Sequence, residues 1–387
     1  MTAAAPKTLF LAPGCFDKGG ISRYVRYQLD ALREISGRDN VRALSLMGPG
    51  PDGFETAFEV TWHGPHDRPD GATRAAFAVQ ALRQALLWRP DVIHCAHVNF
   101  TPLVSRLGAL SRAVTVLNVY GLELWSGLSR SRRAHMERMD RMIADCHATA
   151  DHVVAERMHR DPPTVIWDCA DLERFRPDPP PSHLLDRYGL PDPDRNRIVL
   201  TLGRLTASAR HKGYDRLLEI MGDVRVRVPN AHLVIAGRGD DAGRLKTRAS
   251  ELGLTDCVTF TGSIDDEDLA AIYRAAHVFA LVSDKGPGRG EGIPLTPLEA
   301  MASGLPVLVG DEDGSREAVD GSRNGIVVSP RDPEAMTRAL ITLLSETGTA
   351  RADRVAGARR VAEERFGYEA FRDKHAAFYD SLVTPSR

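Results

Sequence analysis

No apolar run in this 387-residue chain reaches the roughly 18 residues that a helical membrane span needs, so no such span is expected. One lysine, Lys7, precedes the apolar stretch Leu9 to Ala12, which is too short and too weakly flanked for a secretory signal. Cysteine is scarce. Cys15, Cys95, Cys146, Cys169 and Cys257 stand without a Cys-x-x-Cys spacing, a poor framework for disulfides or zinc, and a reducing, cytoplasmic setting is expected. Net charge is nearly absent too: 50 Lys and Arg against 52 Asp and Glu leave −2. That excludes a global pull toward nucleic acid and makes any phosphate recognition local. Also missing is a Gly-x-Gly-x-x-Gly run after the first strand candidate. Asp17-Lys-Gly-Gly is a poor substitute, which counts against a nicotinamide dehydrogenase.

What is present is an ordinary globular composition, 43% hydrophobic and 26% charged, at a length that favours two domains. Short apolar runs at Thr8 to Ala12, Val41 to Leu46, Asp91 to Ala96, Ala113 to Asn118 and Thr164 to Trp167 read as buried parallel strands. Amphipathic stretches such as Ile21 to Glu34 and Thr73 to Trp88 lie between them. A proline-rich stretch within Asp168 to Arg197 reads as the linker into a second domain. The alternation then resumes, with strands expected at Ile198 to Leu202, His232 to Ala236, Val258 to Thr261, Val278 to Val282, Pro306 to Val309 and Gly325 to Val328. The expected class is α/β, two Rossmann-like doubly wound domains over 1–175 and 176–365. A C-terminal helix in 366–387 is expected to pack back on the first, and the cleft between the domains is the expected active site.

The chemistry-bearing residues concentrate in the second half. In Glu291-Gly-Ile-Pro-Leu-Thr-Pro-Leu-Glu299-Ala, Thr296 reads as an N-cap, Pro297 as the first helical residue and Glu299 as the partner of a capping box. The same geometry supports a second reading. Backbone N–H groups at the helix start, around Pro294, Leu295 and Thr296, would face a diphosphate, and the two carboxylates would accept hydrogen bonds from sugar and ribose hydroxyls. Upstream, Gly203-Arg204 ends a strand and Lys212-Gly213 opens a helix, which places two cations where a departing diphosphate could be neutralised.

Taken together, Gly203-Arg204, Lys212-Gly213, Glu291 and Glu299 in this setting resemble the family 4 retaining glycosyltransferases of the GT-B fold, most strongly from Arg197 to Leu344. The resemblance implies two domains facing each other across a cleft, and transfer of a hexose-type sugar from a UDP- or GDP-sugar to an acceptor hydroxyl. It implies that Arg204 and Lys212 bind the donor diphosphate, that Glu291 contacts the donor sugar and that Glu299 holds the ribose. Gly262, Ser263 and Ile264 would offer backbone groups to the base. Gly19 and Gly20 resemble the family's N-terminal glycine loop, whose lack of side chains admits phosphates and sugar. No cofactor or metal is implied, and the acceptor is a glycan, a lipid-linked sugar or a small molecule.

The pattern departs from the family in the first half, where Tyr120-Gly121-Leu122-Glu123 stands for a His-Gly-x-Glu segment. A phenol cannot change charge near neutral pH as imidazole does. Tyr120, Glu123 and His97 are the residues expected on the acceptor or sugar side. Ser283 to Gly290 inserts Asp-Lys-Gly-Pro-Gly-Arg-Gly before Glu291, with Lys285 and Arg289 read as mobile surface charge ahead of phosphate contacts. Asp311, Glu312 and Asp313 read as a solvated turn. His94 and His97 lack the pattern of a metal site. Arg130 to Arg141 reads as a basic helix with an exposed face, a peripheral membrane contact being the alternative. Two rival functions share the architecture: a nucleotide-sugar epimerase, for which added acceptor is irrelevant, and a non-catalytic nucleotide-sugar binding protein, which binds donor without turnover.

Overall fold

The structure is a computed structural model that describes residues 5–17, 19–51, 60–65 and 68–383. Lys18 and residues 384–387 of the expected C-terminal segment lie outside the described residues. The chain divides into two compact units, Met1–Cys169 with Tyr368–Arg387, and Ala170–Gly367. The division falls ahead of the boundary expected at 175, because Ala170 already bonds to Phe366 of the second unit through its backbone N–H, at 2.9 Å.

The first unit carries β1 (Thr8–Ala12), β2 (Val41–Ser45), β3 (Val60–Trp62), β4 (Val92–Cys95), β5 (Val114–Val119), β6 (Arg141–Ala144) and β7 (Thr164–Val165) in the parallel order β3-β2-β1-β4-β5-β6-β7. The second carries β8 (Arg197–Leu202), β9 (Ala231–Ala236), β10 (Val258–Gly262), β11 (Val278–Leu281), β12 (Val307–Gly310) and β13 (Gly325–Val328) in the parallel order β10-β9-β8-β11-β12-β13. Every residue of β1, β11 and β12 is buried, as continuous apolar runs covered on both faces must be. Each order reverses once, at β1/β4 and at β8/β11. At such a switch point the strand-end loops diverge to opposite faces of the sheet and leave a crevice beyond the carboxyl ends.

Two strands escape the periodicity argument. β3 is a three-residue edge strand with half-exposed side chains. β6 begins on an arginine, and the basic stretch expected as one helix is instead a helix Arg130–Met136 followed by a turn into β6. The reason is packing. Met136 and Met139 are 0% and 1% exposed, so the chain dives into the core there and Arg141 pairs opposite Val116 of β5.

The final helix, Tyr368–Val383, packs on the helix Gly20–Ser36 of the first unit. Its tie is a buried polar network. His375 Nδ1 lies 2.9 Å from the Phe371 carbonyl and its Nε2 lies 2.9 Å from Gln28 Nε2. Gln28 Oε1 accepts from Asn118 Nδ2, and Asn118 Oδ1 lies 2.8 Å from His94 Nε2, while the Tyr379 hydroxyl reaches His94 Nδ1. One assignment satisfies every atom: each ring carries one proton, on Nδ1 in His375 and on Nε2 in His94, and accepts at its other nitrogen. Both imidazoles are therefore neutral. Burial, offset in part by the Asn118 contact, pushes His94 down to about 3, and burial, offset in part by Phe371, pushes His375 to about 4.

A histidine whose folded pKa lies below its unfolded value contributes stability that is complete above the unfolded pKa and lost as pH falls through the folded one. The melting temperature followed by circular dichroism is therefore expected to fall from about pH 6.5 toward pH 4. His375→Gln should lower it at pH 7 and shallow this acid limb; an unchanged limb would remove the network from the account.

Candidate active site

Three turns leave the carboxyl ends of β8, β9 and β10 pressed together by backbone bonds. Gly203 N–H donates to Ala236 at 3.0 Å, Gly237 N–H to Gly262 at 2.8 Å, and Leu205 N–H to Arg238 at 3.0 Å. There is no room for side chains between them. A Cβ on Gly237 would sit 1.9 Å from the Gly203 carbonyl oxygen, and one on Gly239 2.1 Å from that of Leu205. The packing leaves Arg204 exposed at the rim, with no ion pair for its guanidinium among the described residues.

From Arg204 the chain runs through a 3-10 turn, Ala207–Lys212, into the helix Tyr214–Arg227. Arg210 and Arg244 clamp this turn by sharing Asp241, with Arg210 Nη2 at 2.7 Å and Arg244 Nε at 2.8 Å from Asp241 Oδ1. Gly213 closes the turn at φ +89°, in the left-handed region, with its Cα facing the Val282 carbonyl at the end of β11. That close approach carries Lys212 to the switch point. Lys212 Nζ donates to Glu291 Oε1 at 2.7 Å, and His211 Nε2 donates to the same oxygen at 2.8 Å. Burial alone would raise the Glu291 pKa; the Lys212 charge and the His211 hydrogen bond outweigh it and hold the group down to about 2. Glu291 is thus an ionised carboxylate pinned by one oxygen.

Behind it, Asp313 accepts from the Glu291 N–H at 2.9 Å and from Ser315 N–H at 3.0 Å. Asp313 is 1% exposed, which corrects the expectation of a solvated turn, and burial raises its pKa. Glu312 pairs with Arg331 and accepts from Lys285 N–H. Arg289 is likewise no free surface charge. It bonds Asp284 at 2.8 Å, Arg216 bonds the other Asp284 oxygen at 2.9 Å, and Gly286 and Arg289 close a tight hairpin through paired backbone bonds of 3.1 Å.

The helix after Glu291 spans Leu295–Ala302 and its N-cap is Pro294, with no side-chain cap. The expected capping box is therefore absent. Pro297 falls at the third helical position, where a missing N–H costs nothing because first-turn N–H groups lack intrahelical acceptors. Thr296 Oγ1 is buried without a partner among the described residues. The Leu295 and Thr296 N–H groups have no acceptor among the described residues and lie at the positive end of a helix, a geometry suited to an anion. Glu299, 2% exposed, accepts from the Tyr273 hydroxyl at 2.7 Å. Gly262, at φ +73°, and Ser263 are exposed at the end of β10, with Ile264 half-buried beside them. The second unit thus brings Gly203, Arg204, Lys212, Glu291 and the helix start around one switch point.

In the first unit the expected residues again sit at strand ends. Gly19 caps the helix Gly20–Ser36 after β1. His97 follows β4; burial, reinforced by Arg132, lowers its pKa to about 4, and its Nδ1 accepts from Asn99 N–H at 3.2 Å. Tyr120 follows β5, but its ring is 8% exposed and its hydroxyl accepts from Asn118 at 3.0 Å, inside the buried network. Glu123 accepts from Tyr120 N–H at 2.7 Å, and burial raises its pKa to about 7. His94 is wholly buried, a structural residue. His211, Tyr273 and Asp313 were not singled out by the motifs as site residues. Only His211 had a signal, its place beside Lys212 in a strand-end turn.

Two doubly wound parallel sheets with cations and carboxylates at a switch point define the GT-B class of fold, and a solved structure of HepE from Anabaena in complex with UDP superposes with a TM-score of 0.78 at 18% identity, covering 97% of this chain and 100% of that one. The family model described as Glycosyltransferase Family 4 matches residues 18–174 and that described as Glycosyl transferases group 1 matches residues 186–361. The chain belongs to glycosyltransferase family 4. A GDP-mannose-dependent alpha-(1-6)-phosphatidylinositol monomannoside mannosyltransferase of Mycolicibacterium smegmatis is 38% identical over 190 residues, 48% of this chain and 48% of that protein. The chain thus matches about half the length of that relative. A D-inositol 3-phosphate glycosyltransferase of Segniliparus rotundus is 27% identical over 402 residues, covering 96% of this chain and 86% of that protein.

Because a Cβ on Gly213 would lie 2.4 Å from the Val282 carbonyl oxygen, Gly213→Ala should destabilise the protein by about 2 kcal/mol or more. Chemical denaturation measures this, and a loss under about 0.5 kcal/mol would mean that the contact does not fix the turn.

Proposed function

We propose that this chain is a retaining glycosyltransferase that moves a hexose-type sugar from a UDP- or GDP-sugar to an acceptor hydroxyl. The observation that carries the reading is the ionised Glu291 held by Lys212, with the exposed Arg204 and the uncapped helix start at Leu295 on strand-end loops of the same switch point. Glycosyl transfer builds positive charge at the anomeric carbon and negative charge on the departing diphosphate. Arg204, Lys212 and the helix N-terminus address the second without a metal, and one preorganised donor aimed at a developing oxyanion contributes ~3 kcal/mol. Glu291 orients the sugar hydroxyls and Glu299 the ribose. With retention, the acceptor approaches the face from which the diphosphate leaves, and a phosphate oxygen takes its proton.

The donor base is open between uridine and guanosine. One relative's name specifies GDP-mannose and one structural neighbour was crystallised with UDP; both are compatible with backbone recognition at Gly262 to Ile264. A cell-surface glycan or glycolipid acceptor fits the relative that acts on a phosphatidylinositol monomannoside. No helix among the described residues is long and apolar enough to cross a membrane. The proposed setting is cytoplasmic, with the exposed arginines of the helix Arg130–Met136 as the ground for a peripheral contact with an anionic lipid face.

The test is thermal-shift screening against a panel of nucleotides and nucleotide sugars, repeated on Arg204→Ala and Glu299→Ala. One nucleoside diphosphate should stabilise the wild type, and the shift should vanish in both variants. No shift with any nucleotide would remove the glycosyltransferase reading. Donor turnover indifferent to every acceptor would point to the epimerase chemistry instead.

A further inference from the structure

Glu291 is held on one side only. His211 Nε2 and Lys212 Nζ both donate to Oε1, at 2.8 and 2.7 Å, and Oε2 has no protein partner among the described residues. The His211 ring is 7% exposed. Its backbone is anchored as well, since its carbonyl accepts from Asp284 N–H at 2.9 Å and from Arg216 at 3.3 Å. Its Nδ1 is buried and without a partner among the described residues. A buried polar atom left unsatisfied is a cost that a purely structural side chain at this place, an aromatic hydrocarbon for example, would not incur.

The chemistry explains what the imidazole supplies. Because Glu291 is ionised it can only accept, so His211 Nε2 is the donor across the 2.8 Å contact, and Nδ1 is the nitrogen left without a partner among the described residues. Lysine alone would be a single point charge on a flexible stem, about which the carboxylate could rotate and exchange its oxygens. A second donor from a rigid ring fixes which oxygen faces inward and leaves the other directed at a ligand.

We propose that His211 is a positioning residue for the donor sugar: it saturates Oε1 of Glu291 so that Oε2 is presented to the sugar hydroxyls. This rests on the donor-site reading of Glu291 given above, and the specific effect belongs to the sugar rather than to the nucleotide. The experiment is calorimetric titration of UDP, GDP, UDP-glucose and GDP-mannose into the wild type, His211→Phe, His211→Gln and Glu291→Gln. For whichever nucleotide sugar the wild type binds, His211→Phe should weaken it by about tenfold or more, as loss of a hydrogen bond to a charged group does. The matching nucleoside diphosphate should bind the same variant as it binds the wild type. His211→Gln, whose amide nitrogen reaches the Nε2 position, should restore nucleotide-sugar binding. Should His211→Phe not fold, His211→Asn, whose amide is too short to reach Glu291, takes its place. Unchanged nucleotide-sugar binding in His211→Phe with a defective Glu291→Gln would overturn the positioning role alone. Equal losses for nucleotide and nucleotide sugar, or no rescue by glutamine, would reduce His211 to a packing residue. An unaffected Glu291→Gln, or no binding of either nucleotide sugar by the wild type, would fail the donor-site reading itself.

Discussion

The second unit depends on how closely its strand-end turns approach one another. Gly203, Gly237 and Gly239 let the turns after β8 and β9 share backbone bonds, and Gly213 lets the next turn rest on the Val282 carbonyl. A methyl group at Gly213, Gly237 or Gly239 would meet a carbonyl oxygen well inside van der Waals contact. The glycines are therefore not hinges. They are the condition under which cations from one side of the switch point and carboxylates from the other come within hydrogen-bond distance, and loop backbone excluded from the interior becomes available to a ligand.

Electrostatics then acts on a preformed frame. Burial acts to raise the Glu291 pKa, yet Lys212 and His211 outweigh it and keep the group charged; removing one partner of a buried pair of this kind typically costs about 3–5 kcal/mol, because the other charge is stranded. Asp313 takes the opposite course: burial raises its pKa, and its bonds to the N–H groups of Glu291 and Ser315 hold the loop rather than a ligand. Two nearby carboxylates thus differ in role because one faces cations and the other faces backbone.

The first unit solves a different problem, attaching the end of the chain to its beginning. Neutral His94 and His375, with Gln28, Asn118, Tyr120 and Tyr379, form a network in which each ring nitrogen has one role. A fully satisfied buried network specifies one docking of the last helix where apolar contacts alone would tolerate several. Tyr120 belongs to this network, so its ring is fixed by packing and by the Asn118 hydrogen bond.

The sequence by itself determined the sheet-and-helix alternation, most of the strands and the identity of the charged motif residues, because continuous apolar runs and glycine turns are local signals. It misassigned Thr296, whose pattern suits an N-cap, because Pro294 starts the helix earlier. It did not reveal β3, too short to show a period, or β6, whose leading arginine matched the basic helix before it. Tertiary structure alone decided that Asp313 is buried, that Arg289 is neutralised by Asp284, and that His211 and Lys212 converge on one oxygen of a carboxylate 79 and 80 positions away. No local pattern encodes those pairings, since each is set by which strand ends the sheet order brings together and how near glycine lets them come.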